Sequence, residues 1–255
     1  MYLTLSIHSS HAVVTFNRPD KLNALTSEMF ESFDQYLDQL DRDEKLRALI
    51  ITASGERAFC AGTDIAELQN STDGRMISSR GQALCDRIEN FPVPVIAAIN
   101  GIAAGGGMEL ALACHLRIAS TNASFSLPET KLGLIPGYGG SQRLARELGV
   151  GQALEMMLTG RALSTDEALQ FGLINKVVDP DTLMETAVSL AEDLAKLSSL
   201  SVRTSLKSVT RGLNLSLEDG LKLETELFAS LFETEDAREG IRAFLEKREP
   251  SFKGR

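Results

Sequence analysis

The stretch Pro94-Val-Ile-Ala-Ala-Ile-Asn-Gly-Ile-Ala-Ala-Gly-Gly-Gly-Met-Glu-Leu-Ala-Leu112 decides the fold. Its first part, Pro94 to Asn100, is a nearly unbroken apolar run, which reads as a buried strand. Gly101 ends that run, and Gly105-Gly106-Gly107 makes a corner. A helix is expected from about Gly107 to Ala113, and a further strand over Leu116 to Ala119. Strand, glycine corner, helix and strand in this order describe an α/β chain of repeated ββα units.

Upstream the same alternation continues. Leu3 to Ile7 and Ala12 to Phe16 read as two strands around a turn at Ser9-Ser10. Ser27 to Leu40 carries Met29, Phe30, Phe33, Leu37 and Leu40 at helical spacing, with Thr26 or Ser27 as cap. Leu46 to Thr52 is a compact apolar strand suited to cover on both faces. Gly74 to Glu89 is expected to be helical, ending before Pro92. The segment Leu68 to Arg80 is polar and reads as irregular. From Gly139 onward the pattern turns helical, apart from a strand at Ile174 to Val178. Helices are expected over Thr182–Leu197, Ser201–Gly212, Ser216–Phe232 and Glu235–Glu246. The composition shift near Pro180 divides the chain into a ββα core, 1–180, and a helical region, 181–255.

Bulk properties narrow the function classes. At 255 residues the chain is long enough to bury a sizeable core without disulfides or metals. The three cysteines, Cys60, Cys85 and Cys114, are widely and irregularly spaced, so neither a disulfide framework nor a cysteine zinc site is expected. They read as buried thiols in a reducing compartment. The start shows no targeting segment, and no run approaches the roughly 20 apolar residues that span a bilayer. A cytoplasmic protein without membrane or nucleic-acid partners is the expectation, because a net charge of −9 opposes general nucleic-acid binding.

Two glycine-rich corners, Cys60-Ala-Gly-Thr-Asp64 and Gly105-Gly-Gly-Met-Glu109, are candidates for chemistry. Glycine there lets a ligand approach the main chain, and a helix N-terminus presents free N–H groups to an anion. Either corner alone is as compatible with a purely structural turn. The second lacks the Lys and Ser/Thr of a phosphate loop, and its glycine spacing does not fit a dinucleotide fold.

Taken together, the motifs resemble the enoyl-CoA hydratase/isomerase (crotonase) family. The resemblance is carried by the stretch 96–112 and by Arg57-Ala-Phe-Cys-Ala-Gly-Thr-Asp-Ile65. It continues in Phe125-Ser-Leu-Pro-Glu-Thr-Lys-Leu-Gly-Leu-Ile-Pro-Gly-Tyr-Gly-Gly-Ser-Gln-Arg-Leu144. Asn17-Arg-Pro19, Thr159 to Ala168 and the tail from Phe244 also match, so the likeness runs over nearly the whole chain in order. It implies a crotonase-like spiral of ββα units with a helical C-terminal region used for trimerisation. It also implies a homotrimer or dimer of trimers acting on an acyl-CoA thioester, with CoA arriving as part of the substrate and no separate cofactor or metal.

The resemblance further implies that the backbone N–H groups of Thr63 and Gly106 form an oxyanion hole for the thioester oxygen. Glu109 and Glu129 are implied as the acid–base pair of a hydratase. Water addition to a conjugated double bond needs a base at the β-carbon and a proton source at the α-carbon, and two carboxyls flanking one water supply both. Repulsion and burial should raise at least one of their pKa values. Read alone, Glu109 equally suits a carboxylate on a helix dipole, and Glu129 a solvated loop residue. Lys21 and Ala61 are implied neighbours of the CoA nucleotide. Asp64 is grouped with them, although a cap on the next turn is its simplest role. Phe244 and Lys247 match positions that enter a neighbouring subunit's site. Tyr138 occupies a commonly small position of the Pro-Gly-x-Gly-Gly turn, where it would narrow the acyl pocket or offer a hydroxyl to a polar chain. His115 stands where an acidic residue is common and is read as structural, while His8 and His11 are read as surface turn residues. Two alternatives stay open: an isomerase, dehydratase or lyase reaction on the same oxyanion hole, and a non-catalytic RNA-binding homologue.

Overall fold

The computed structural model describes residues 1–255. Strands β1 (Leu3–Ile7) and β2 (His11–Phe16) form an antiparallel hairpin in which Leu5 faces Val14. Helix α1 (Ser27–Leu40) begins where the Thr26 hydroxyl accepts the Met29 N–H, and it buries Met29, Phe30, Phe33, Leu37 and Leu40. That face is the one its apolar spacing marks, since residues three and four apart share a side of a helix.

Three times in succession a strand of one sheet hands over to a short strand of another. β3 (Ala48–Ala53) leads to β4 (Ala58–Cys60), β5 (Val95–Ile99) to β6 (Ile102–Ala104), and β7 (Leu116–Ser120) to β8 (Ser124–Ser126). Helices α2 (Ile65–Asn70) and α3 (Gly74–Glu89) follow the first pair, and α4 (Gly106–Ala113) follows the second. The third pair is followed by a single 3-10 turn, Glu129–Leu132. The chain then runs through α5 (Gly140–Leu148), α6 (Val150–Thr159), β9 (Leu163–Ser164), α7 (Thr165–Gln170) and β10 (Lys176–Val178). The larger sheet has the order β1-β2-β3-β5-β7-β10 and the smaller one β4-β6-β8-β9. This is the expected spiral of ββα units.

The continuous apolar runs of β3 and β5 are explained by cover on both faces. Leu49, Ile51, Val95 and Ala97 face the main core with α1 and α3. Ile50, Ile96 and Ala98 face the other way, onto Leu183, Ala187 and Ala191 of α8 (Leu183–Ala195). Beyond α8 come α9 (Ser199–Gly212), α10 (Leu217–Phe232) and α11 (Glu235–Glu246), and neither α9 nor α10 has a buried residue. A boundary near 180 therefore falls just ahead of a helix that packs on the sheet.

Several local readings change. The short strands β4, β6, β8 and β9, of two or three residues each, add to the elements the sequence pattern marks, because so few residues carry no periodicity. The segment Leu68 to Arg80 is ordered: it holds the end of α2 and the start of α3, whose Asp73 carboxylate accepts the Met76 N–H. His11 is buried rather than a surface turn residue, and its ring stacks on that of His8.

Candidate active site

β4, β6 and β8 run parallel and side by side, so their C-terminal ends lie in one row. Neighbouring strands are spaced by roughly 5 Å, and the ends of parallel strands are where such folds place ligands. The first strand end delivers Ala61 to Asp64, the second Gly105 to Glu109, and the third Pro128 and Glu129. Residues separated by nearly 70 positions in the chain thus share one wall of a cleft of about 880 Å³. Thr63, Gly106, Glu109, Glu129, Tyr138 and Ala61 all line it.

The first two corners touch. A Cβ placed on Gly62 would lie 3.2 Å from the Gly106 nitrogen, and Gly62 itself adopts φ +97. Leu25 pins the first corner by donating its N–H to Gly62 O and accepting the Asp64 N–H, each at 2.8 Å. That exchange leaves the Thr63 N–H, which lies between the two bonds, with no acceptor in the chain. Gly106 opens α4 and so has no intrahelical acceptor either. Two adjacent N–H groups without partners at a cleft wall are suited to an anionic oxygen.

Glu109 sits in the first turn of α4 and is only 1% exposed. Its Oε1 accepts N–H bonds from Tyr138 and Gly140, both at 2.7 Å. Burial pushes its pKa up to about 7, and the nearby Glu129 charge acts in the same direction, while the N–H bonds oppose the shift. Glu129, at the start of the 3-10 turn, is half-buried, and its pKa is also raised by burial. Its Oε2 is buried with no hydrogen-bond partner, whereas Oε1 lies near the Gly105 corner. One carboxyl is therefore held in place and the other is free to accept or give a proton.

Tyr138 is 4% exposed and its hydroxyl lies 2.6 Å from Thr63 Oγ1, one hydroxyl donating to the other. Burial raises its phenol pKa to about 12, so it stays protonated. Lys21 is exposed on the loop that holds the first corner, where Ala61 donates to Leu22 O at 3.0 Å. The Asp64 carboxylate caps α2 through the Ala66 N–H and pairs with Arg18, outside the cleft wall. Phe244 is 83% exposed and Lys247 ends α11 with φ +55; neither lines the cleft of its own chain. His115 is structural: its Nδ1 accepts the Val95 N–H at 2.8 Å and its Nε2 lies 3.0 Å from Glu89 O.

Two contributors escaped the sequence reading. Asn23, buried with φ +55, donates to Ala58 O and Ser54 O and accepts the Arg18 N–H, which locks the 18–25 loop against β4. A lone polar residue in a loop carries no signal of such a role. Gly140, which anchors Glu109, was visible only as one glycine of a turn.

The family model described as Enoyl-CoA hydratase/isomerase matches residues 6–255. A short-chain-enoyl-CoA hydratase of Clostridium acetobutylicum is 42% identical over 247 residues, covering 96% of this chain and 95% of that protein. A crotonyl-CoA hydratase of Syntrophomonas wolfei is 40% identical, with 94% of each chain covered. Among solved structures, the enoyl-CoA hydratase of Bacillus anthracis superimposes with a TM-score of 0.96 at 38% identity over the full length of both chains.

Proposed function

The chain belongs to the enoyl-CoA hydratase/isomerase family, and we propose that it catalyses the reversible addition of water to a 2-enoyl-CoA thioester. The observation that carries this reading is the pair of carboxyls, Glu109 and Glu129, in the cleft that also holds the Thr63 and Gly106 N–H groups.

In the proposed reaction the thioester oxygen accepts both N–H groups. Addition at the β-carbon builds negative charge on that oxygen, and each preorganised donor contributes roughly 3–4 kcal/mol to lowering the barrier. Water held between the carboxyls gives a proton to one of them as its oxygen bonds to the β-carbon. The α-carbon takes a proton from the pair, so the two carboxyls together neither gain nor lose one. A pair sharing a single proton does this best near neutral pH, which fits a Glu109 pKa of about 7 and the raised pKa of Glu129. The scheme draws CoA from the substrate and calls for no further cofactor.

Three supporting assignments complete the proposal. Lys21, Ala61 and the 17–25 loop lie on the CoA side of the cleft. The exposed apolar residues of α10 and α11, among them Phe228, Phe232 and Phe244, are covered in a homotrimer or pair of trimers. The setting is cytoplasmic, supported by three free, buried cysteines; no helix is long and apolar enough to cross a membrane.

Mass analysis of the product from crotonyl-CoA tests the reaction class. A gain of one water supports hydration. Conversion of a 3-enoyl-CoA to the 2-enoyl isomer, without water gain from crotonyl-CoA, would replace it by isomerisation.

A further inference from the structure

A second pocket, of about 370 Å³ and open to solvent beside the 60%-exposed Met76, adjoins the cleft. The two spaces share Thr63, Leu68, Ser71, Ile77 and Tyr138 as a common wall. Leu25, Phe30 and Met76 line only the far side, with Ser27, Glu67 and Arg80 at its polar rim. Tyr138 is the one aromatic residue of the shared wall. Its ring meets Phe30 edge-on, with centroids 5.8 Å apart, and a Cβ on Gly106 would come within 2.7 Å of it. A Cβ on Gly81 would lie 1.9 Å from a carbon of that ring, so α3 approaches it more closely still. The hydroxyl is tied to Thr63 Oγ1.

We propose that Tyr138, latched by Thr63, is a specificity-determining partition that restricts this site to short acyl chains by closing a preformed side cavity. The inference rests on the 2-enoyl-CoA reading above. With the thioester oxygen at Thr63 and Gly106 and the reacting carbons beside Glu109, the chain beyond the β-carbon runs toward the ring that covers Gly106. The Tyr138 N–H, bonded to Glu109 Oε1, fixes that ring relative to the reacting carbons. Behind it the cavity has room for on the order of ten groups of the size of a water. Each methylene seated in an apolar pocket is worth roughly tenfold or more in kcat/KM, so opening the partition should be easily read.

The test is the ratio of kcat/KM for 2-dodecenoyl-CoA to that for crotonyl-CoA. In the unaltered protein it should be well below one. In Tyr138→Ala it should rise by about a hundredfold, the worth of two or more seated methylenes. Met76→Trp, which fills only the far cavity, should leave crotonyl-CoA turnover unchanged and cancel the gain when combined with Tyr138→Ala. Thr63→Ala keeps the backbone donor, deletes only the latch and should move the ratio in the same direction by a smaller factor; it decides the matter if Tyr138→Ala does not fold. An unmoved ratio in every folded variant, or a gain that survives Met76→Trp, would overturn the partition while leaving hydration intact. Absence of crotonyl-CoA turnover in the unaltered protein would instead overturn the reading on which it rests.

Discussion

Helix α4 and the pair α9–α10 sit at opposite extremes of the same molecule. Every residue of α4 is buried, including Glu109, whereas α9 and α10 bury none completely. Yet α10 leaves Leu217, Leu221, Phe228 and Phe232 more than half exposed. The difference separates two uses of apolar sequence. In α4 the environment is completed by the chain itself, so a carboxyl can be buried and its pKa raised. In α10 the apolar face awaits cover from outside the chain, in line with the proposed trimer. A buried ionisable group needs hydrogen-bond partners or a shifted pKa, and an exposed apolar row marks a surface that something else can cover.

Glycine gives the sharpest way to break this contrast. A Cβ on Gly107 in α4 would lie 2.1 Å from the Cys60 carbonyl oxygen, a backbone atom that cannot swing aside. Gly107→Ala should therefore destabilise by about 3 kcal/mol or more, read as a lowered denaturant midpoint or as loss of soluble protein. An unchanged midpoint would mean that the corner is looser than the structure shows.

The next effect has the opposite sign. The pKa of Glu109 is about 7 in the folded protein, against an ordinary value of 4.5. Its contribution to stability is present in full below the ordinary value and is lost as pH rises toward and past 7. At pH 8 the buried charge costs on the order of 1–3 kcal/mol. Glu109→Gln keeps an oxygen acceptor for the Tyr138 and Gly140 N–H groups and carries no charge. The variant should be more stable than the unaltered protein at pH 8 and nearly equal to it at pH 4, in urea titrations at both values. Equal stability at both would mean that Glu109 is not buried as a charge.

The smallest effect belongs to the other pole. Gly212, at the end of α9, has nothing within 4 Å of where its Cβ would be and no positive φ. Gly212→Ala should stabilise the helix by roughly 0.5–1 kcal/mol. A loss of stability there would show that something packs on that position in the assembled protein.

These contrasts mark what was legible in the sequence. The runs at 46–52 and 94–100 declared buried strands because two-sided cover leaves no polar alternation, and α1, α3 and α8 to α11 declared themselves by period. Between the large strands, Ala58–Cys60 and Ile102–Ala104 were too short to show a period, although their ends deliver both backbone donors. The two glutamates and both glycine corners came from motifs. Their shared wall came from the parallel order of β4, β6 and β8, which no local pattern encodes. The Thr63–Tyr138 bond spans 75 positions, and its partition between two cavities is a property of packing rather than of spacing.

In the proposed reaction two carboxyls beside two backbone donors add water to a conjugated thioester. Loss of the conjugated enoyl-thioester absorbance of crotonyl-CoA, followed for the unaltered protein, Glu109→Gln and Glu129→Gln, tests it most directly. Rapid loss that falls by about 10²–10⁴-fold in each folded variant is the result expected of an acid–base pair. Full activity in either variant would contradict the paired-carboxylate account.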